Sequence, residues 1–290
     1  MRNEVEIKDL VINFAKHDDR IRAVLLNGSR ANPNTPSDNL QDFDVAFIVN
    51  NLESFLTYHN WVHFLGDKII TQLPNEMTFG KDNDKEEPLG FAYLMLFKDE
   101  SRIDLTLLSK QNLKPDFKLD SLTMIWLDKD NLFSHISSPC DKDYHICKPT
   151  EKEFLDTCNE FWWVSTYIAK GLLRTEITYA KEMSEIIVRP MLMKIIEWKI
   201  GVENTFSVSF GKAGRFMRNY VTDDFYEKIL QTYSGSDIEE NWKSLFIMTD
   251  VFKQASNEIA QQLGFQIAKK EQDDTLEYLQ KQYNEQKNYR

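Results

Sequence analysis

The chain has 290 residues, enough for two domains of ordinary size, and its 42% hydrophobic and 28% charged residues describe a soluble globular protein. Its 46 Asp and Glu outnumber its 35 Lys and Arg, which gives a formal net charge of −11. That sign disfavours a nucleic-acid partner, because proteins that bind a phosphate backbone usually carry basic patches. It favours a small polycationic partner, since an acidic cleft concentrates ammonium and guanidinium groups.

The sequence carries no sign of a membrane partner. No apolar stretch approaches the roughly 20 residues that a spanning helix needs, and residues 1–6 lack the apolar core of a signal peptide. The cysteines Cys140, Cys147 and Cys158 are odd in number, which suits a reducing compartment better than a disulfide framework. We therefore expect a cytoplasmic protein.

The first part of the chain mixes helical and strand patterns. Apolar residues at helical spacing predict a helix over 4–16, and a second helix is expected within 52–65. Short apolar runs predict strands over 23–26, 45–49 and 122–127.

Polar residues stand where the two early strands end and begin. Gly28 and Ser29 follow the first strand and predict a tight turn whose backbone N–H groups can approach a phosphate. Asp42 and Asp44 lead into the second strand, and residues two apart in an extended chain share a face, while Phe43 between them faces the core. Two neighbouring carboxylates repel each other, and a hard divalent cation such as Mg²⁺ relieves that repulsion.

A β-hairpin is predicted further on, with arms over 90–97 and 102–108 joined by a polar turn. Alternation in the second arm places Asp104 on the face opposite to its apolar residues, together with Arg102 and Thr106. Asp is a poor strand former, so its presence here suggests a third carboxylate for the same site. The preceding segment, 81–88, is charged and reads either as a loop that closes over a substrate or as a solvated connection.

Each of these residues also has a simpler interpretation. Asp42 and Asp44 are compatible with a solvated surface turn, and Asp104 with an edge strand protected by charge. Arg30 fits either a phosphate contact or an ion pair with the acidic cluster. The ligand-type residues His135, Cys140, His145 and Cys147 lie close together, but their irregular spacing does not match structural zinc sites.

The second part of the chain reads as helical. Thr150 and Glu153 fit a capping box, so a helix is expected to begin there. Pro190 predicts a kink or a break in its helix, and Gly201 predicts a helix end. The polar stretch from Lys269 predicts a solvated helix with a frayed tail. The predicted helices span 151–172, 177–200, 238–263 and, more briefly, 211–220 and 223–232.

Several side chains in this part have two interpretations. An aromatic group on the first helix of this part is expected mainly to pack in the core, and the alternative is an aromatic wall for a nucleobase or sugar. Its members are Phe161, Trp162, Trp163 and Tyr167. The residues to examine for contacts with a triphosphate or substrate, or as plain surface charge, are Lys170, Tyr179, Lys181, Arg189 and Lys212.

The order Gly-Ser, Asp-x-Asp and a later strand Asp resembles the DNA polymerase β nucleotidyltransferase superfamily. The wider set of segments resembles the aminoglycoside 6-adenylyltransferases, which modify streptomycin; those segments are 28–32, 41–44, 93–97, 102–107, 161–164 and 188–192. The resemblance implies transfer of AMP from ATP to one hydroxyl of streptomycin. The predicted partners are thus ATP and a small cationic aminoglycoside, with no nucleic acid and no membrane.

We accordingly predict an α+β fold: a nucleotidyltransferase domain with a mixed β-sheet over about residues 1–140, and a C-terminal α-helical bundle over 150–290 that binds substrate. Asp42, Asp44 and Asp104 are the predicted catalytic residues and ligands of two Mg²⁺ ions. Asp104 either binds the second ion or accepts the hydroxyl proton, and the base is alternatively Glu76, Glu86 or Glu87. The residues expected to bind the nucleotide are Gly28, Ser29, Arg30 and Lys212.

Two other functions use the same residues. One is adenylylation of a protein or of another small alcohol, and the other is nucleotide-dependent regulation without catalysis. Three carboxylates argue against the regulator, since a binding module has no need of two metals.

Overall fold

The computed structural model of the protein describes residues 1–78, 90–113 and 118–289. The chain divides into two compact units, Met1–Asp143 and Tyr144–Arg290. No helix within the described ranges is long and apolar enough to cross a membrane.

The first unit is built on one six-stranded sheet in the order β3-β4-β5-β2-β1-β6. Strands β2 and β5 pair in parallel, whereas the other neighbours are antiparallel, so the predicted mixed sheet is confirmed. The strands are β1 (Ile21–Asn27), β2 (Phe43–Val49), β3 (Lys68–Gln72), β4 (Gly90–Phe97), β5 (Arg102–Ser109) and β6 (Thr123–Asp128).

The two faces of this sheet differ in what covers them. The face covered by helix α1 (Glu4–His17) is formed by alternate residues such as Phe43, Val45 and Leu105, all about 1% exposed. The opposite face carries a smaller apolar cluster and, near the start of β2 and β5, Asp44 and Asp104. The predicted division between core-facing and acidic faces is therefore confirmed, because the strands alternate with period two.

Two elements of this unit differ from prediction. Strand β3 was not expected; it is an edge strand with four of its five residues exposed, so it lacks an alternating pattern. The helix expected within 52–65 is reduced to α2 (Glu53–Leu56) and a 3₁₀ segment over His59–Leu65. The charged segment predicted as a loop, 81–88, lies outside the described residues.

The second unit is helical, and the capping box of Thr150 and Glu153 forms at its first helix as predicted. The helix expected over 177–200 is interrupted by a π-helical turn over Met183–Val188, directly before Pro190 in the first turn of α5. Proline is tolerated there because the first turn needs no N–H donor. The helices are α3 (Glu151–Leu173), α4 (Ile177–Glu182), α5 (Arg189–Glu203), α6 (Asp223–Leu230), α7 (Ile238–Leu263) and α8 (Lys269–Tyr289).

Three expectations for this unit were wrong. Gly201 does not end its helix, which continues to Glu203; a Cβ at Gly201 would meet Ile146 and Phe206 at 2.8 Å, so glycine is there for packing. The helix expected over 211–220 is replaced by two 3₁₀ turns. Helix α8 is not simply solvated, because it buries Gln272, Leu279 and Gln286, each seven residues apart.

The aromatic group on α3 divides into core and surface. Phe161 and Trp162 are buried and pack against Phe252 of α7, as the core interpretation predicts. Trp163 is 60% exposed, and its indole N–H donates to the Tyr167 hydroxyl at 2.9 Å.

The start of the chain is tied to the β4–β5 turn by Arg2. Its backbone N–H and its Nε donate to Asp99 at 3.0 and 2.8 Å, and its guanidinium lies over the Phe97 ring. Burial acts to raise the pKa of Asp99, but hydrogen bonds from Ser101 and Arg2 outweigh it and hold the pKa well below its usual range. Asp99 therefore stabilises the fold in its ionised form.

We expect Asp99→Asn to lower the free energy of unfolding at pH 7 by about 1 kcal/mol, because charge-assisted hydrogen bonds are lost. The depressed pKa means that the contribution is present above the unfolded-state pKa, near 3.9, and is lost as pH falls toward the folded-state value. The difference between wild type and variant in urea unfolding should thus shrink below about pH 4. Asp67→Asn is the control, because its carboxylate is 83% exposed and pairs only loosely with Lys98; equal effects of both variants at pH 7 would contradict the assignment.

Candidate active site

Gly28 directly follows β1, at the start of a 3₁₀ turn over Gly28–Arg30, and lies against Asp44 of β2. Asn27 is the cross-strand partner of Asp44, and a Cβ built on Gly28 would lie 2.3 Å from a carboxylate oxygen of Asp44. Gly28 also has φ +74°, a conformation that L side chains rarely adopt. Its N–H donates to the Leu122 carbonyl at 3.0 Å, so the glycine serves the close approach of Asp44 and the fold.

Asp44 and Asp104 are side by side on the sheet. They are register partners in the parallel pair β2 and β5, and neighbouring strands lie about 4.8 Å apart, so both carboxylates start from the same face at close range. The Asp104 side chain is 18% exposed. Asp42, whose side chain is 37% exposed, stands one residue before β2. The structure thus groups the three carboxylates that the sequence predicted.

Arg102 is a member of this group that the sequence analysis did not identify as functional. Its Nε and Nη2 donate to the two oxygens of Asp104 at 3.0 and 2.8 Å, and its Nη1 lies 3.5 Å from Asp42. The hydrogen bonds to Asp104 raise the pKa of Arg102 against the opposing effect of partial burial. The sequence did contain a signal for this contact: Arg102 and Asp104 are two residues apart on a strand and therefore share a face.

Within the described residues, no three His, Cys, Asp or Glu side chains are gathered tightly enough to hold a metal ion. In the acidic group, the Arg102 guanidinium contacts both Asp42 and Asp104 and provides a positive charge between them. The donor set is chemically suited to Mg²⁺, since it consists of hard carboxylate oxygens. Two of the three carboxylates stand on paired strand positions, and Gly28, which has no Cβ, leaves room for Asp44.

Arg30 hydrogen-bonds the backbone beside Asp42 and interacts electrostatically with Asp42 and Asp44, while its contact with a nucleotide stays a prediction. Its guanidinium donates to the backbone carbonyls of Gln41 and Asp42, at 2.7 and 3.1 Å, and lies 3.7 Å over the Phe43 ring. The side chain is only 8% exposed, and burial lowers the pKa of Arg30 despite nearby acidic groups such as Glu4. In this arrangement Arg30 fixes the segment that carries Asp42.

The remaining predicted residues lie in three places. Ser29 is partly exposed in the 3₁₀ turn that begins at Gly28, and Lys212 lies in a 3₁₀ turn of the second unit. The contacts of both residues with a nucleotide stay predictions. Glu76 pairs with His59 at 3.2 Å, and His59 in turn contacts the Tyr93 hydroxyl on the helix-covered face of the sheet. Glu86 and Glu87 lie outside the described residues.

The charged side chains singled out on α4 and α5 are largely engaged within the second unit. Arg189 is 7% exposed; it donates to Thr232 at 2.8 and 2.9 Å and lies over the Tyr233 ring. Lys181 donates to the Ser234 carbonyl at 2.8 Å. Both therefore tie the π-helical region to the segment after α6.

A mixed sheet that sets a Gly-Ser turn against strand aspartates defines a nucleotidyltransferase. The more particular family follows from comparison of the whole sequence: the family model described as streptomycin adenylyltransferase matches residues 1–282. The chain belongs to this family, for which ATP is the co-substrate.

Curated relatives agree in name and length. The chain is 42% identical to an aminoglycoside 6-adenylyltransferase of Campylobacter jejuni over 266 residues, which covers 92% of this chain and 91% of the relative. It is 39% identical to the protein of that name from Bacillus subtilis (strain 168), over 91% of this chain and 93% of the relative. A crystal structure of an aminoglycoside 6-adenyltransferase from Bacillus subtilis matches 98% of this chain and 99% of its own, with 33% identity and a TM-score of 0.48.

We expect Gly28→Ala to reduce the rate of adenylylation by roughly 100-fold, because the added methyl displaces the Asp44 carboxylate. Gly264→Ala is a matched control: Gly264 has φ +72°, but a Cβ there meets no atom of the described residues within 4 Å. Both variants carry the same backbone strain, on the order of 1 kcal/mol, so only Gly28→Ala should lose turnover while thermal unfolding reports similar destabilisation. Equal turnover of the two variants would show that the approach of Gly28 to Asp44 is unimportant.

Proposed function

We propose that this protein transfers AMP from ATP to a hydroxyl group of streptomycin and thereby confers resistance to it. The observation that carries the proposal is the grouping of Asp44 with Asp104 on adjacent parallel strands, against the Gly28 turn, in a member of the streptomycin adenylyltransferase family. The names of the relatives support an aminoglycoside as acceptor.

The acidic residues supply the ligands that Mg-ATP chemistry requires. Asp42 and Asp44 would hold two Mg²⁺ ions, and Asp104 would bind one of them or accept a proton. When bound, the metal ions neutralise the charge of the triphosphate and of the attacking and leaving oxygens. Because Arg102 contacts both Asp42 and Asp104, it would have to release them before they bind metal ions. Until then its guanidinium balances part of their negative charge.

In the proposed reaction the oxygen of the substrate hydroxyl attacks the α-phosphorus of ATP. The new P–O bond forms as the bond to the pyrophosphate oxygen breaks, and pyrophosphate leaves with its electron pair. The hydroxyl proton passes to a carboxylate; Asp104, the neighbour of Asp44, is our candidate once Arg102 has released its two oxygens. Arg30 keeps Asp42 in place by donating to the backbone carbonyls of Gln41 and Asp42.

Electrostatics support a cationic acceptor. Three carboxylates outnumber the two nearby guanidinium groups of Arg102 and Arg30, and the whole chain has a formal net charge of −11. Streptomycin carries guanidinium groups with permanent positive charge, which such a site attracts before contact.

Asp42→Asn and Asp44→Asn should each lower turnover by roughly a thousandfold or more, because a charged ligand is lost from the reacting centre. Folding should be nearly unchanged, since neither side chain belongs to the core. Asp38→Asn, four residues upstream and exposed, controls for the change in charge. Turnover within about tenfold of wild type for either site variant would refute its role as a ligand.

Asp104→Asn separates the two roles of that residue. If Asp104 is the base, the variant should lose the acidic limb of the pH–rate profile while Mn²⁺ affinity, measured by titration calorimetry with ATP present, stays as in wild type. If it is a metal ligand, the affinity for Mn²⁺ should fall along with turnover.

The substrate assignment predicts a selective enzyme. Streptomycin should be adenylylated, whereas kanamycin- and gentamicin-type aminoglycosides, whose hydroxyls lie on a differently substituted ring, should be poor acceptors. The KM for streptomycin should rise with ionic strength, because salt screens the attraction. Mass spectrometry of a panel incubated with Mg-ATP measures the AMP adducts; equal modification of kanamycin and streptomycin, or AMP transfer only to a protein, would refute the substrate and leave the reaction class standing.

A further inference from the structure

Asn27, the last residue of β1, belongs to a row of polar side chains that crosses the acidic face of the sheet. It is the register partner of Asp44 on one side and of Thr123 on the other, and Asp44 is in turn the partner of Asp104. Register partners share a face of the sheet, and in an antiparallel pair their Cβ atoms lie about 4.5–5.5 Å apart. Asn27 therefore stands directly beside Asp44, on the side away from Asp104.

The side chain of Asn27 does not have the role that its position suggests. Asn27 is the N-cap of the 3₁₀ turn over Gly28–Arg30, and asparagine is favoured at N-caps because its side-chain oxygen accepts from a backbone N–H of the turn. No such hydrogen bond forms here. The oxygen accepts instead from the hydroxyl of Thr123, at 2.8 Å, and Thr123 is only 2% exposed. This contact holds the Asn27 amide on the acidic face.

The contact with Thr123 leaves the amide nitrogen of Asn27 as a donor. Within the described residues this nitrogen donates to no acceptor, and it is not sealed in the core, since Asn27 is only half-buried. The nitrogen and the oxygen diverge from one carbon, so the nitrogen is directed away from Thr123. The reverse orientation of the amide would bring its partially negative oxygen toward the carboxylates of Asp44 and Asp104, which is unfavourable.

The Asp44 carboxylate lies over the same end of β1. One of its oxygens would be 2.3 Å from a Cβ built on Gly28, the residue that follows Asn27. The backbone N–H of Gly28 is already used, because it donates to the Leu122 carbonyl at 3.0 Å. The Arg102 guanidinium is engaged with Asp104. The Asn27 amide is thus a neutral donor next to the carboxylate that would hold Mg-ATP.

We propose that Asn27 binds the nucleotide: its amide N–H donates to a non-bridging phosphate oxygen of ATP held with Mg²⁺ at Asp44, an inference that rests on the proposed function. Hydrogen bonds to a charged acceptor are roughly twice as strong as those between neutral groups. Asn27 provides one without adding a cation that would compete with Mg²⁺ for the carboxylates, as Arg102 does. Thr123 is the positioning residue, because its hydroxyl orients the amide.

The test measures nucleotide binding apart from turnover. Calorimetry of the full chain with Mg²⁺ and α,β-methylene-ATP, which cannot release pyrophosphate, gives the dissociation constant of the nucleotide alone. Asn27→Leu keeps the branched shape and removes the donor, whereas Asn27→Asp keeps the acceptor for Thr123 and replaces the donor with a carboxylate. Thr123→Val is the matched control, since it breaks the same side-chain hydrogen bond between β1 and β6 and leaves the Asn27 amide in place. All three variants are first checked for a cooperative thermal transition.

We expect the affinity for α,β-methylene-ATP to fall about tenfold or more in Asn27→Leu, because a hydrogen bond to a charged group is lost. The loss should be larger in Asn27→Asp, which places a further carboxylate beside the phosphates, and less than about threefold in Thr123→Val. In the adenylylation assay, kcat/KM for ATP should fall in the same order, while the KM for streptomycin stays as in wild type.

The proposal is overturned if Asn27→Leu or Asn27→Asp binds the analogue as tightly as wild type. It is also overturned if Thr123→Val loses as much affinity as Asn27→Leu, since Asn27 would then act only by joining β1 to β6. Failure of the proposed function has a different signature: the wild-type chain would bind the analogue with the expected dependence on Asn27 and transfer no AMP to streptomycin.

Discussion

The parallel pairing of β2 with β5 is the constraint on which the candidate active site depends. It makes Asp44 and Asp104 register partners, although 60 residues separate them in the chain. A slip of one residue would turn Asp44 toward the core and bring Phe43 to the acidic face, which the burial of Phe43 at 1% exposure forbids. The hydrophobic core on one face of the sheet therefore fixes the chemistry on the other.

That arrangement brings like charges together, and the surrounding residues offset the repulsion. Arg102 donates two hydrogen bonds to Asp104 and approaches Asp42, while Gly28 leaves room for the Asp44 carboxylate at the end of β1. A guanidinium in this position offsets part of the negative charge and orients the Asp104 carboxylate. The same contacts mean that any divalent ion must compete with Arg102 for two of its ligands.

Much of the fold and of the site was predictable because it follows from short-range patterns. Period-two alternation in β2 and β5 placed Phe43 in the core and Asp44 and Asp104 opposite to it, and Thr150 with Glu153 marked the start of α3. The failures share one cause, namely that tertiary contacts decided the outcome. An edge strand such as β3 has no buried face to produce a pattern, and Gly201 is required by side chains that are distant in sequence. The buried face of helix α8 was not predicted, because two of its buried residues are glutamines, which look solvent-exposed in a sequence pattern.

The two arginines nearest the acidic group show where sequence reasoning ends. Arg30 stands beside the Gly-Ser turn and attracted a functional interpretation, yet its guanidinium is nearly buried and holds backbone carbonyls at residues 41 and 42. Arg102 received none, although strand parity alone puts it on the face of Asp104. The predicted nucleotide contact of Arg30 stays a prediction, whereas the contact of Arg102 with Asp104 follows from strand geometry. The sheet directs a side chain on a strand, but a side chain on a turn takes whichever acceptors the turn provides.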